Sequence, residues 1–100
     1  MENNVTDIIR NFRCKFGEID IIGKDGEYIT FFEVKYRKSN ISGEAEYSVG
    51  QRKQWVISRV IDFFRYKNNL PEDIPFRIDV LAVNGNSIKW YKNAFDYISQ

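Results

Sequence analysis

The chain has 100 residues, 43% of them hydrophobic and 16% aromatic, which is enough for one core and too little for two. Residues 1–100 are therefore read as a single domain. Fifteen basic and fourteen acidic side chains leave a net charge of +1, so any polyanion must be met by a local patch rather than by bulk charge. Histidine is absent, which excludes histidine-based hydrolytic triads, histidine general bases and the common Cys/His zinc sites.

Cys14 is the single cysteine and cannot form an intramolecular disulfide; an unpaired thiol fits a reducing cytoplasm. The N-terminus has no basic region followed by an apolar stretch, and no run approaches the roughly 18 apolar residues of a membrane span. The expectation is a cytoplasmic protein without a membrane partner.

In chain order, Thr6–Lys15 mixes apolar and basic residues and reads as a strand. Glu18–Gly23 and Tyr28–Arg37 are β-rich runs around Lys24-Asp25-Gly26-Glu27, and Asp-Gly between such runs signals a hairpin. Ser39–Tyr47 is polar and lacks periodicity, so it reads as a loop. A helix follows: Ser48 with Gln51 three residues later fits a capping box, and Val56, Ile57, Val60, Ile61, Phe63 and Phe64 recur at helical spacing. It ends near Lys67, where Asn68-Asn69-Leu70-Pro71 offers a left-handed cap and a breaker. Phe76–Val83 and Ser87–Tyr91 are strands around an Asn84-Gly85-Asn86 turn, and Asn93–Ile98 is one helical turn or a tail. This order predicts an α/β fold with a mixed five-stranded sheet and one long helix between strands 3 and 4.

A two-residue turn at Asp25-Gly26 would set Glu18 opposite Glu33, Asp20 opposite Phe31 and Ile22 opposite Ile29. Ile19, Ile21, Tyr28, Thr30, Phe32, Val34 and Tyr36 would then form a core face, while Glu18, Asp20, Glu33 and Lys35 share the other. Three carboxylates within cross-strand reach repel, by roughly 0.2 to 1 kcal/mol per directly opposed pair. A hard divalent cation such as Mg²⁺ or Mn²⁺ would neutralise what Lys35 does not. The plain alternative is a solvated hairpin face whose charges merely keep it soluble.

Asn11-Phe12-Arg13, Gly17-Glu18-Ile19-Asp20, Phe32-Glu33-Val34-Lys35, Arg52-Lys53-Gln54 and Phe76-Arg77-Ile78-Asp79-Val80 stand in an order and spacing that resemble the YraN-like proteins. These are a bacterial branch of the PD-(D/E)XK, or restriction-endonuclease-like, nuclease superfamily, similar to archaeal Holliday junction resolvases. The resemblance covers Asn11 to Val83, and the pair Gly-Glu-Ile-Asp and Glu-Val-Lys is its most specific part. It implies a restriction-endonuclease-like core in which Asp20 and Glu33 hold Mg²⁺ or Mn²⁺ and Lys35 orients or activates the attacking water. Glu18 is an additional ligand, a group that supports the ligands from behind, or a surface carboxylate paired with Lys35 or an arginine.

Lys53 falls in line with Ile57, Val60 and Phe64, so the first turn of the core-facing stripe carries a cation that can position a phosphate or snorkel to water. Arg52, Trp55, Arg59 and Tyr66 share a flank suited to nucleic acid or to a second subunit. Asp79 matches a family position, although an ion pair with Arg77 explains it more cheaply. Family members begin with a further helix bearing a Glu, and only ten residues precede Asn11 here. Uncovered sheet surface would favour a homodimer or an exchanged element, and the alternative is a truncated or misassigned reading frame with weakened or no activity. The leading expectation is a metal-dependent nuclease hydrolysing DNA phosphodiesters, with branched structures as one candidate substrate. The alternative is an inactive nuclease-fold module for nucleic-acid binding or protein interaction.

Overall fold

A computed structural model describes residues 4–37 and 48–99. The loop expected over Ser39–Tyr47 lies outside the described residues. Five strands and one helix follow in the order β1 (Thr6–Cys14), β2 (Gly17–Asp25), β3 (Tyr28–Arg37), α1 (Gln51–Lys67), β4 (Phe76–Asn84) and β5 (Ser87–Tyr91). They form one sheet in the order β1-β2-β3-β4-β5. All neighbours are antiparallel except β3 and β4, which run parallel because α1 carries the chain back between them. The expected mixed α/β architecture is thus present.

The β2–β3 register differs from the expected one by a shift that matters for the site. Asp25 pairs with Tyr28, Lys24 with Ile29, Ile22 with Phe31 and Ile21 with Phe32. The turn is therefore Gly26-Glu27 rather than Asp25-Gly26. Gly26 has φ +66° and occupies the first turn position, where a primed turn that matches strand twist needs positive φ. Asp25 is freed to end β2 as a partner of Arg77.

The faces also differ. Ile22, Ile29, Phe31 and Ile78 of the sheet, with Ile19, pack against Ile57, Val60, Ile61 and Phe64 of α1. The face that carries Glu33 is therefore the principal core face and not a solvated one. Phe31 anchors it, with edge-on contacts to Phe64 at 5.6 Å and Phe76 at 5.9 Å. Val5, Phe32 and Leu81 form a smaller cluster on the opposite face, joined by Ile8, Ile21, Val34 and Trp90.

The helix stripe Ile57, Val60, Ile61 and Phe64 is buried, as its spacing predicts. Its start is not the expected Ser48 capping box. Gly50 is the N-cap, with no side-chain cap, and the Gln54 side chain donates to the Val49 carbonyl at 2.8 Å. Its end does follow the expectation. Asn69 adopts φ +52°, its N–H bonds the Tyr66 carbonyl, and Leu70 N–H bonds the Arg65 carbonyl, which together make a Schellman closure.

Residues beyond β5 are a docked tail and not a helical turn. Ala94 N–H bonds the Ile78 carbonyl at 2.8 Å, and Ile98 N–H bonds Ser58 Oγ on α1 at 3.0 Å. Arg59 completes the attachment, donating to the Ile98 carbonyl and, at 3.3 Å, to the Tyr97 hydroxyl. Among the described residues, no helix is long and apolar enough to cross a membrane.

Candidate active site

The hairpin ladder sets the site by where it stops. Its last pair is Ile21 with Phe32, and continuing that register brings Asp20 opposite Glu33. The Val34 amide then points towards β2 and donates to Asp20 Oδ2 at 3.0 Å. Asp20 thus fills an acceptor role in the hairpin, and its position relative to β3 is fixed through a charge-assisted bond.

Glu33 extends from β3 towards the first turn of α1, where Lys53 Nζ lies 3.6 Å from Glu33 Oε2. Only 9% of Glu33 is exposed. Burial is the main influence on its carboxyl, pushing the pKa up; Lys53 opposes this, nearby Asp20 adds to it, and Lys35 opposes it more weakly. Four of the expected residues, Asp20, Glu33, Lys35 and Lys53, therefore act on one another. Lys53 neither simply snorkels to water nor stands apart from the sheet. Its ammonium is spent on the buried carboxylate.

Other expected residues lie elsewhere. Glu18 is bound across the β1–β2 ladder to Arg13, with 3.5 Å between Arg13 Nε and Glu18 Oε2. Among the described residues, no group of three or more Cys, Asp or Glu side chains comes together in metal-binding geometry. The three-carboxylate set of Asp20, Glu33 and Glu18 is thus not assembled. Arg52 is exposed on the first turn of α1. Arg59, expected as a nucleic-acid contact, is only 3% exposed. Its guanidinium lies over the rings of Trp55 at 5.4 Å and Tyr97 at 5.6 Å and is taken up by the tail. Asp79 is fully buried and accepts from Arg77 Nε at 3.0 Å, Trp90 Nε1 at 2.7 Å and Asn93 N–H at 2.8 Å. That saturated set makes it a structural anchor, as the cheaper explanation had it.

A cleft of about 270 Å³ opens beside Asp20, lined also by Arg10, Asn11, Ile21, Val34 and Tyr36. Arg10 draws no notice in the sequence because a surface cation on a strand is ordinary, and Tyr36, expected on the core face, is 76% exposed instead. Asn11 carries a further signal, φ +54°, which only the backbone reveals. The flanking pairs Arg10–Ile21 and Phe12–Ile19 place it directly across from Asp20.

Two carboxylates from adjoining strands, a lysine two residues beyond one of them and a helix lysine against the same carboxylate define a mixed α/β protein with a compact acid–lysine centre. The chain belongs to the uncharacterised protein family UPF0102, whose profile matches residues 1–83. It is 39% identical over 89 residues to a UPF0102 protein of Lachnoclostridium phytofermentans, covering 89% of this chain and 75% of that protein. It is 40% identical over 98 residues to one of Pseudoalteromonas translucida, covering 95% and 79%, respectively. A relative from Nitrosomonas eutropha is 38% identical over 96 residues, with 95% and 81% covered.

Proposed function

We propose that the protein is a metal-dependent nuclease of the PD-(D/E)XK type that hydrolyses DNA phosphodiester bonds, with Asp20, Glu33 and Lys35 as its catalytic residues. The observation that carries this reading is the meeting of Asp20 and Glu33 at the end of the β2–β3 ladder, with Lys35 and Lys53 acting on the same carboxylate. The donor set fits Mg²⁺ or Mn²⁺: both partners are hard oxygen ligands, and Mg²⁺ is commonly held by one or two carboxylates while water and phosphate oxygens complete its shell. When bound, the ion would supply positive charge to the phosphate oxygens and lower the pKa of a water.

The protein's own groups do the rest. Asp20 is held in place by the Val34 amide, so its carboxylate needs little reorganisation to act as a ligand. Lys53 opposes the burial that pushes the Glu33 carboxyl up and so favours its ionised form. Lys35 follows Glu33 by two residues on the same strand face and is placed to donate to a phosphate oxygen or to orient the attacking water. A homodimer is part of the proposal, because Trp55 and Tyr66 stand 41% and 80% exposed on α1.

The test is cleavage of single-stranded, linear duplex and four-way DNA with Mg²⁺ or Mn²⁺, comparing the wild type with Glu33→Ala and Lys35→Ala purified in parallel. Cleavage by the wild type that both variants lose supports the assignment. No cleavage by the wild type together with no Mg²⁺ binding overturns it, and cleavage that survives in both variants identifies a contaminant.

A further inference from the structure

The cleft beside Asp20 lies on the sheet face opposite α1, where Ile21 and Val34 form part of the smaller apolar cluster. Its wall ends in Tyr36, a ring 76% exposed at the distal end of β3, while Arg10 offers an exposed cation on β1. Asn11 adopts φ +54°, a left-handed conformation that asparagine accepts more readily than most residues, and it does so directly across from Asp20.

An exposed aromatic ring gains nothing from standing in water beside the Asp20 carboxylate, whereas a stacking platform does. Every nucleobase has a π-face, a guanidinium can pair with a phosphate, and an amide can bond to a base edge or a sugar. A rigid duplex has no free base face to offer such a ring. We infer that this cleft binds one unpaired nucleotide on the Asp20 side of the carboxylate pair, with Tyr36 stacking on the base, Arg10 holding a backbone phosphate and Asn11 bonding the nucleotide's polar edge. The inference rests on the hydrolase reading for its relation to the scissile bond, while binding itself is measurable without hydrolysis. It assigns the substrate class as DNA with a single-stranded segment, which a junction, flap or end supplies and an intact duplex does not.

The test measures fluorescence anisotropy of a short labelled single strand and of the matched duplex, in EDTA so that no cleavage intervenes. The expected result is that Tyr36→Ala weakens single-strand binding about five- to a hundredfold while Tyr36→Phe, which keeps the stacking face, binds as the wild type does. Arg10→Ala should reduce the slope of log affinity against log salt by about one charge contact. Both side chains are exposed, and unchanged melting of each variant confirms that folding is intact. Single-strand affinity unchanged in Tyr36→Ala overturns the inference, as does an equal loss for duplex and single strand. Glu33→Ala, assayed alongside, separates the two claims. Loss of cleavage in Glu33→Ala with normal binding by Tyr36→Ala leaves the hydrolase and removes the subsite. A wild type that never cleaves, with binding lost in Tyr36→Ala, leaves the binding cleft and removes the hydrolase.

Discussion

Asp20 has two separable tasks, and a pair of substitutions pulls them apart. Its Oδ2 receives the Val34 amide at 3.0 Å, a bond to an ionised acceptor in a partly buried setting. Such bonds are worth about 1.5–3 kcal/mol, and the partial exposure of Asp20 places this one near the lower end, at about 1.5 kcal/mol. Asp20→Ala strands the Val34 N–H and loses that amount. In a domain of this size each kcal/mol moves Tm by about 4–8 °C, so the melting temperature should fall about 6–12 °C. Asp20→Asn keeps a carbonyl oxygen for the amide and loses only the charge, so its melting should fall by no more than about 4 °C. Activity responds differently, because both variants lack the carboxylate and both should stop cleaving DNA. Thermal melting by circular dichroism and a cleavage assay, run with and without Mg²⁺, read the two tasks separately. Saturating Mg²⁺ should raise the wild-type Tm, by about 2.7 kcal/mol of added stability at a hundred times Kd, and should leave Asp20→Asn unmoved. Equal melting of the Ala and Asn variants would refute the structural half of the reasoning. Wild-type cleavage by Asp20→Asn would refute the other half.

Three further outcomes follow from the same geometry. Glu33 has a folded pKa raised above its unfolded value, so between those values the native state binds more protons than the unfolded chain, and stability falls as pH rises through that window. Glu33→Gln removes this dependence and should therefore melt higher relative to the wild type at pH 7 than at pH 4, as paired melting curves would show. Asp79→Asn leaves Arg77, Trp90 and the Asn93 amide facing an amide in a fully buried position; a loss of about 3–5 kcal/mol in urea unfolding is expected, while a loss below 1 kcal/mol would contradict the anchor role. Tyr97→Phe removes the hydroxyl that accepts from Arg59 and donates to Asp62, so hydrogen exchange at the Ile98 amide should accelerate while the Ile61 amide in mid-helix stays protected.

How much of this was readable beforehand depended on which physical rule governed each residue. The helix stripe and its Asn69 closure were legible because spacing and backbone preference are local properties. The same local rules misplaced the start of α1, since Ser48-x-x-Gln51 has capping-box residues but the chain turns at Gly50 instead. Asp25-Gly26 signalled a hairpin without fixing its centre. In the turn observed, Asp25 ends β2 and pairs with Arg77, a residue on a distant strand. Arg59 could not be placed at all from the sequence: its burial comes from the Tyr97–Ile98 tail crossing α1, a contact that no periodicity encodes. Asp20, Glu33 and Lys35 were nameable from their pattern, whereas Arg10, Asn11 and Tyr36 became visible only once the cleft brought three strand positions together.

The register is the point on which the site turns. With the expected turn, Glu18 would have faced Glu33, and Asp20 would have faced a phenylalanine. With Gly26-Glu27 as the turn, the register shifts by two along the strand, which preserves side-chain parity and exchanges Glu18 for Asp20 as the partner of Glu33. Glu18 is left to Arg13 at the ladder's margin. The consequence is a centre that disfavours folding: a buried carboxylate beside a second one, with its one close cation drawn from a helix that has no acidic residue in its first turn. A solvated hairpin face would have no need of this arrangement, because its charges could separate into water. Here Glu33 is packed at the end of the core face and its cost is offset chiefly by Lys53, with a weaker contribution from Lys35. A cation held between Asp20 and Glu33 would lower that cost directly, so the stabilisation by Mg²⁺ and the gain from Glu33→Gln are two readings of one electrostatic strain and should diminish together when Lys53 is replaced by arginine only if the pair geometry, and not charge alone, sets it.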